Sequence, residues 1–359
     1  MNILISGAGI AGPALAHWLT RQGHKVTVVE RAPSPRQGGQ AVDFRGRPQL
    51  KVLEAMGLLE KIRAAAETPA PITILNKAGT PVSTLPAEAF SGDVEILRGT
   101  LSEILREAST TNYVWNDTIT ALHDTGPAVT ATFAKAKEET FDLVVGADGQ
   151  NSTVRRLRWG KVPTQHLGMY GAIFSTEQRH PTPVMYTVPG RCITLTETRA
   201  ALDFASPEIH IQDERAAIAS AFAGMGWRTP ELLEAMHQAD DLYFSQATQI
   251  QAPTYSKGRT VLLGDAAHAP GPGGMGTGLA VVGAYILAEE LSRQAVETAL
   301  TTYEARMRPY VAVCQKQARG ADRFLVPSKR THIWMRNQIV RLVPPRLLNT
   351  SKAAEAISL

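Results

Sequence analysis

The chain has 359 residues, 44% hydrophobic and 19% charged, which supplies a large core and excludes global disorder. The formal net charge is only +4, with no block of lysines or arginines, so nucleic acid is not an expected partner. Two cysteines, Cys192 and Cys314, make neither a disulfide framework nor a zinc site. No apolar run reaches membrane-spanning length, and Gly7, Gly9 and Gly12 break the apolar N-terminus, so a cytoplasmic protein is expected.

Asn2–Ser6 predicts a short buried strand, Gly7–Gly12 a tight turn, Ala11–Gln22 a helix and Lys25–Glu30 a second strand. Such a βαβ unit implies a parallel sheet. Helices are expected at Pro48–Met56 and Leu58–Ala66, with Gly57 as a C-cap between them. Pro71–Pro86 reads as short β pieces and Arg98–Ala108 as helix. Tyr113–Phe133 reads as strands with turns at Asn116-Asp117 and Thr125-Gly126-Pro127, and Phe141–Gly146 as a strand of the parallel type. Gly168–Ile211, punctuated by Pro181, Pro183, Pro189-Gly190 and Pro207, predicts a separate antiparallel sheet. Helices follow at Asp213–Ala223 and Thr229–His237, with Thr229 as N-cap before Pro230. Leu242–Ile250 and Thr260–Leu263 are strands. Gly276–Ser292 and Val296–Gln317 are long helices, and a last helix over Thr331–Leu342 stops at Pro344-Pro345. The organisation is interleaved: α/β segments 1–70, 95–168 and 256–320 alternate with β-rich segments 71–94 and 169–255, and 321–359 is helical.

Three turns carry candidate chemistry. Gly7-x-Gly9-x-x-Gly12 follows a strand, opens a helix and is followed by Glu30 at the end of the next strand. Its glycines permit a tight turn and close approach of a pyrophosphate, the helix start offers N–H groups, and Glu30 accepts from a ribose; NAD and FAD remain alternatives on this motif alone. Asp148-Gly149 and Gly264-Asp265 each follow a buried strand, where ligands of open α/β sheets bind. The glycines up to Gly278 offer backbone donors at a helix start, and Arg98 opens another helix. His268 reads as a structural histidine more readily than as a base. Arg45 and Arg47 read as a surface helix start, and Phe324, Trp334 and Met335 as interdomain packing.

In this order, Gly-x-Gly-x-x-Gly, Glu30-Arg31, Arg98, Gly-Ala-Asp148-Gly-x-x-Ser152-x-x-Arg155 and Gly264-Asp265-Ala-Ala-His268 resemble the group A flavoprotein monooxygenases, aromatic hydroxylases of the p-hydroxybenzoate hydroxylase type, over nearly the whole chain. Within that superfamily, Gly38–Gly46, Val94–Gly99 and Val282–Ala288 are most similar to tetracycline destructases and their relatives. The resemblance implies a Rossmann-like FAD-binding domain (1–70, 95–168, 256–320), an interleaved β-sheet substrate domain (71–94, 169–255) and a C-terminal bridging helix. It implies a monomer with tightly bound FAD, reduction by NADPH or NADH, O2 addition to give a C4a-hydroperoxyflavin, and transfer of one oxygen atom to an aromatic or polyketide-like substrate, tetracycline-type compounds included. Gly7, Gly9 and Gly12 would meet the pyrophosphate, Glu30 the ribose, and Arg31 the adenosine. Arg98, Asp148, Asp265, Pro272 and Gly278 complete the implied cofactor site; no side-chain nucleophile and no metal are implied. Two departures stand out: relatives often carry Asn at the place of Gly278 and Asp at that of Gly283, and the His268–Gly274 spacing is one residue short. A halogenase of this fold is disfavoured because no Trp-x-Trp-x-Ile-Pro stretch occurs. A reductase or oxidase, or a non-catalytic ligand-binding flavoprotein, is the alternative.

Overall fold

The computed structural model describes residues 1–35, 38–87, 92–178, 180, 182–343 and 351–357. Pro181, Pro344 and Pro345 lie outside the described residues. The first half contains β1 (Asn2–Ser6), α1 (Ala11–Arg21), β2 (Lys25–Glu30), β3 (Ala41–Phe44), α2 (Gly46–Ala55), α3 (Leu59–Ala64), β4 (Ile72–Leu75), β5 (Pro81–Leu85), β6 (Val94–Leu97), α4 (Arg98–Glu107), β7 (Asn112–Trp115), β8 (Ile119–Asp124), β9 (Val129–Phe133), β10 (Glu139–Phe141), β11 (Leu143–Gly146) and α5 (Thr153–Trp159). The second contains β12 (Thr164–Ser175), β13 (Val184–Val188), β14 (Arg191–Leu195), β15 (Arg199–Ala205), α6 (Glu214–Phe222), α7 (Thr229–Gln238), β16 (Tyr243–Ile250), β17 (Ser256–Lys257), β18 (Thr260–Leu262), α8 (Asp265–His268), α9 (Gly276–Arg293), α10 (Val296–Ala318), α11 (Ala321–Leu325) and α12 (Arg330–Leu342).

The first sheet runs β17-β18-β11-β1-β2-β7, parallel except at β17. Its central strand is apolar without alternation because both faces are covered: Ile3, Leu4 and Ile5 are wholly buried. Each candidate turn named above leaves the C-terminal end of one of these parallel strands: Gly7 follows β1, Asp148 follows β11 and Gly264 follows β18. A fold of this kind gathers them at one edge.

The second sheet runs β16-β12-β15-β14-β13-β4-β5, so β4 pairs with β13, a strand more than a hundred positions later in the chain. One face packs under α6 and α7 through Tyr170, Phe174, Leu202, Phe204, Phe222 and Leu232. A two-stranded link, β3 with β6, sets Ala41 opposite Leu97 and brings Gly38–Gln40 against the start of α4. The interleaving read from the sequence is therefore present, and the fold is mixed α/β with a Rossmann-like sheet.

Three local expectations need correction. Arg228, not Thr229, caps α7, because the Thr229 hydroxyl bonds backward to the Gly226 carbonyl oxygen at 2.7 Å and already lies in the first turn. Trp334 and Met335 are 65% and 49% exposed, not interdomain packing. The inner face of α12 is Arg336 and Val340, one turn apart; Arg336 donates to the Phe324 carbonyl at 2.9 Å and Thr187 Oγ1 at 3.2 Å, which turns Trp334 outward. Arg45 is not a surface residue but is largely buried and ion-paired with Asp43. Among the described residues no helix is long and apolar enough to cross a membrane.

Candidate cofactor site

The three N-terminal glycines answer to different constraints. Gly7 adopts φ 109°, and a Cβ there would lie 2.5 Å from the Ala147 carbonyl oxygen. A Cβ on Gly12 would stand within 3.0 Å of the Gly7 carbonyl oxygen and 3.3 Å from Ile5 Cγ2, so this glycine permits the helix to close on the strand. Gly9 has room, the nearest atom being Arg98 Nη2 at 3.6 Å. The protein itself does not require glycine at position 9; a ligand lying on the turn would. Helix α1 starts at Ile10 with no side-chain cap, leaving its first-turn N–H groups suited to an anion. Glu30 braces the turn by accepting from the Ala8 and Ala32 N–H groups, each at 2.9 Å. Ser102 of α4 supports it from the other side, donating to the Gly9 carbonyl at 3.1 Å. Nothing local in the sequence marks Ser102; only the packing of α4 on α1 reveals it.

Arg98 and Asp265 come from segments far apart in the chain and meet over this turn. Asp265 lies 3.6 Å from where a Cβ on Gly276 would be, and neither its carboxylate nor the Arg98 guanidinium has a hydrogen-bond partner among the described residues. Burial pushes the Asp265 carboxyl above its ordinary range, while the charges of Arg98 and Arg155 pull it back. Gln40, whose backbone carbonyl accepts from the Arg98 N–H at 3.0 Å, has a buried and unpartnered Oε1. Helix α9 also begins without a side-chain cap, from Met275 in the left-handed region at φ 58°. An unpaired acid, an unpaired cation, an orphaned amide oxygen and two uncapped helix starts fit the polyol, pyrophosphate and ring edge of a flavin dinucleotide.

Asp148 behaves differently. Its carboxylate accepts from the Ser152 hydroxyl and from the Thr153 and Val154 N–H groups at 2.7 and 3.1 Å, so that it shares the capping of α5 with Ser152, whose hydroxyl accepts from the Arg155 N–H at 2.9 Å. Its backbone packs against Gly7, the Asp148 Cα lying 2.9 Å from a Cβ built there. Arg155 is 9% exposed and donates to the Ala266 carbonyl at 2.8 Å, tying the second turn to the third. Arg31 is exposed at the end of β2 beside Glu30, and Pro272 sits half-buried in the turn between α8 and α9, which a Gly274 N–H to Gly271 carbonyl bond of 3.1 Å closes.

Gly278 is explained by a residue the sequence did not flag. A Cβ there would stand within 3.0 Å of the terminal amide of Gln49. Gln49 is wholly buried; its Oε1 accepts from the Arg45 N–H at 2.8 Å and its Nε2 donates to the Tyr310 hydroxyl at 2.9 Å. An amide from α2 thus occupies the space that an Asn at position 278 would need. His268 is 1% exposed, lies 5.2 Å from the Tyr255 ring and has no partner on either ring nitrogen; burial lowers its pKa to about 4. A neutral, enclosed imidazole is a packing residue, as expected from the sequence.

A dinucleotide-type sheet with a second sheet across its turns defines the class: a two-layer flavoprotein. The family of the FAD binding domain matches residues 1–188 and 232–318. The chain is similar to an uncharacterized protein of Mycobacterium tuberculosis, 38% identical over 81% of this chain and 84% of that protein. It is also similar to a flavin-dependent monooxygenase of Legionella longbeachae, 32% identical over 88% and 87%. The crystal structure of tetracycline destructase Tet(55) superposes with a TM-score of 0.87 at 31% identity, covering 100% of this chain and 98% of that one. The chain belongs to the FAD-binding-domain family of group A flavin-dependent monooxygenases.

Proposed function

We propose that this flavin-dependent monooxygenase draws electrons from NADPH or NADH and hydroxylates an aromatic or polyketide-like small molecule, tetracycline-type compounds included. The observation that carries the reading is the convergence of Arg98, Asp265, Gly9 and the open starts of α1 and α9 on one edge of the parallel sheet. FAD, when bound, would carry the two electrons of the nicotinamide to O2, so that one oxygen atom of O2 enters the substrate and the other leaves as water.

The chain's own residues bind and orient. Gly7, Gly9 and Gly12 would let the pyrophosphate lie on backbone N–H groups, and Glu30 would accept from the adenosine ribose with Arg31 alongside. Asp265 would accept from ribityl hydroxyls, and Arg98 would balance phosphate charge. The uncapped N–H groups at the start of α9 would stabilise negative charge on a reduced flavin ring held there, with Gly278 and Pro272 shaping that approach. Asp148 serves by positioning its turn. The face of the second sheet away from α6 and α7, part of which packs on Val326 and Val340, supplies the substrate wall.

The test begins with colour. The purified protein should be yellow with the flavin band in the blue, and should consume NAD(P)H faster when a substrate is present. Incubation with tetracycline should yield a product heavier by one oxygen atom. A colourless protein that rejects FAD defeats the proposal. NAD(P)H oxidation giving only hydrogen peroxide with every aromatic and polyketide tried points instead to an oxidase.

A further inference from the structure

One row of residues crosses the second sheet on the face away from α6 and α7. Backbone register sets Ser245 of β16 opposite Gly171 of β12, Gly171 opposite Asp203 of β15, Asp203 opposite Cys192 of β14, and Cys192 opposite Thr187 of β13. Directly opposed residues share a face. Their neighbours Tyr170, Leu202, Phe204, Ile193 and Tyr186 occupy the other face, in the cluster under the two helices. The row therefore looks toward the flavin layer and the C-terminal helices, and Asp203 is its one acid.

Asp203 has no hydrogen bond and no ion pair with any described residue. A Cβ on Gly171 would lie 2.8 Å from its Oδ1, so the glycine makes room for the carboxylate. The arginines on this side of the sheet do not pair with it. Arg199, four residues earlier on the same strand face, is turned to Asp241 and lies 3.3 Å from a Cβ on Gly38, in the loop that meets Arg98. Arg336, on the other side, donates to Thr187, to the Phe324 carbonyl and to Asn337. Asp203 is half-buried, and burial pushes its carboxyl up to about 7. The nearby Cys192 thiol is pushed up to about 11, by burial first and then by the Asp203 charge, and is not a nucleophile.

We propose that Asp203 is the specificity-determining residue of the substrate cavity, accepting a charged hydrogen bond from a protonated amine on the aromatic or polyketide-like substrate; this rests on the monooxygenase reading above. A half-buried acid without a partner is costly, and a ligand that brings the missing cation relieves that cost, whereas a neutral ligand leaves it in place and an anion adds repulsion.

The experiment uses oxidised, FAD-loaded protein and three matched probes: tyramine (cation), para-ethylphenol (neutral) and para-hydroxyphenylpropanoate (anion). Binding is read from the perturbation of the flavin spectrum. Wild type should bind tyramine about ten- to a hundredfold more tightly than the neutral probe, the scale of a charge-assisted hydrogen bond. Asp203→Asn should lose that preference while FAD content, flavin spectrum and affinity for para-ethylphenol stay unchanged; Asp203→Glu should restore part of it. Asp203→Ala is the substitute if the amide does not fold. Equal binding of the three probes by wild type, preference for the anion, failure to bind tyramine, or a preference that survives Asp203→Asn overturns the proposal. A protein that is yellow and oxidises NAD(P)H but shows one of those results loses this inference alone; a colourless one loses the monooxygenase reading.

Discussion

Gly278→Ala tests the account of the flavin-facing helix start. A glycine inside a helix is normally replaced by alanine with a gain of about 1 kcal/mol, and Gly278 is not at positive φ, so propensity alone predicts stabilisation. The packing predicts the reverse. The new methyl would stand within 3.0 Å of the Gln49 amide, whose Oε1 and Nε2 hold the Arg45 N–H at 2.8 Å and the Tyr310 hydroxyl at 2.9 Å. Gln49 must move, and overpacking of this kind costs about 1–3 kcal/mol, with a further 1–3 kcal/mol for each buried group left unpaired. After the helix gain, a net loss of about 3 kcal/mol is expected. Urea and thermal midpoints of wild type, Gly278→Ala, Gln49→Ala and the double variant measure it. The double variant should recover part of the loss, because the two residues contest one space; a coupling of about 1–3 kcal/mol is expected. If Gly278→Ala is as stable as wild type, or the two losses simply add, the reasoning is wrong.

Gly9→Ala should leave the stability of FAD-free protein unchanged, since the nearest atom is 3.6 Å away, yet weaken FAD binding by about tenfold or more, measured by titration of the apoprotein. His268 makes the fold acid-sensitive: its folded pKa is about 4 against 6.5 unfolded, so the unfolded chain takes up the proton first as pH falls. Its contribution of about 3 kcal/mol is present above pH 6.5 and lost on descent to pH 4, and His268→Phe should flatten that part of the stability curve. Asp203 has the opposite sign: its folded carboxyl, raised to about 7 from 3.8, holds a proton that the unfolded chain releases, so stability falls as pH rises through that window. Asp203→Asn should therefore raise the thermal midpoint at pH values above that window and not below it, with Cys192, Arg199, Asp241 and Arg336 as the other charged or titratable groups around the site.

The parts legible in the sequence were those whose cause is local. The Gly7–Gly12 turn, the unalternating strands β1, β11 and β18, and Gly57 at φ 74° after α2 follow from neighbouring residues. β3 and β10 escaped notice because Ala41–Phe44 and Glu139–Phe141 are too short to show a period, and β10 exists only through its pairing with β9. Gln49, Ser102 and Asp203 were invisible for a related reason: each acquires its role from a partner far away in the chain. Asp148 was recognised as part of a cofactor motif, but the motif could not say that its carboxylate helps to cap α5. Trp334 departs from its expected packing because apolarity alone does not dictate burial: a buried arginine sets the orientation of α12.

The register of the parallel sheet also governs when this protein can fold. β11 lies between β1 and β18, with Val144 beside Thr260 and Ile3 beside Leu143. A ribosome must therefore release the whole second sheet before the first can be completed, and the long helices α9 and α10 emerge later still. Until then the strand edge of β11 stays open and Asp265 has not yet been made. Contacts this distant along the chain slow folding and lengthen exposure to aggregation. Synthesis rate and chaperone supply, as much as intrinsic stability, should set how much active protein a cell obtains.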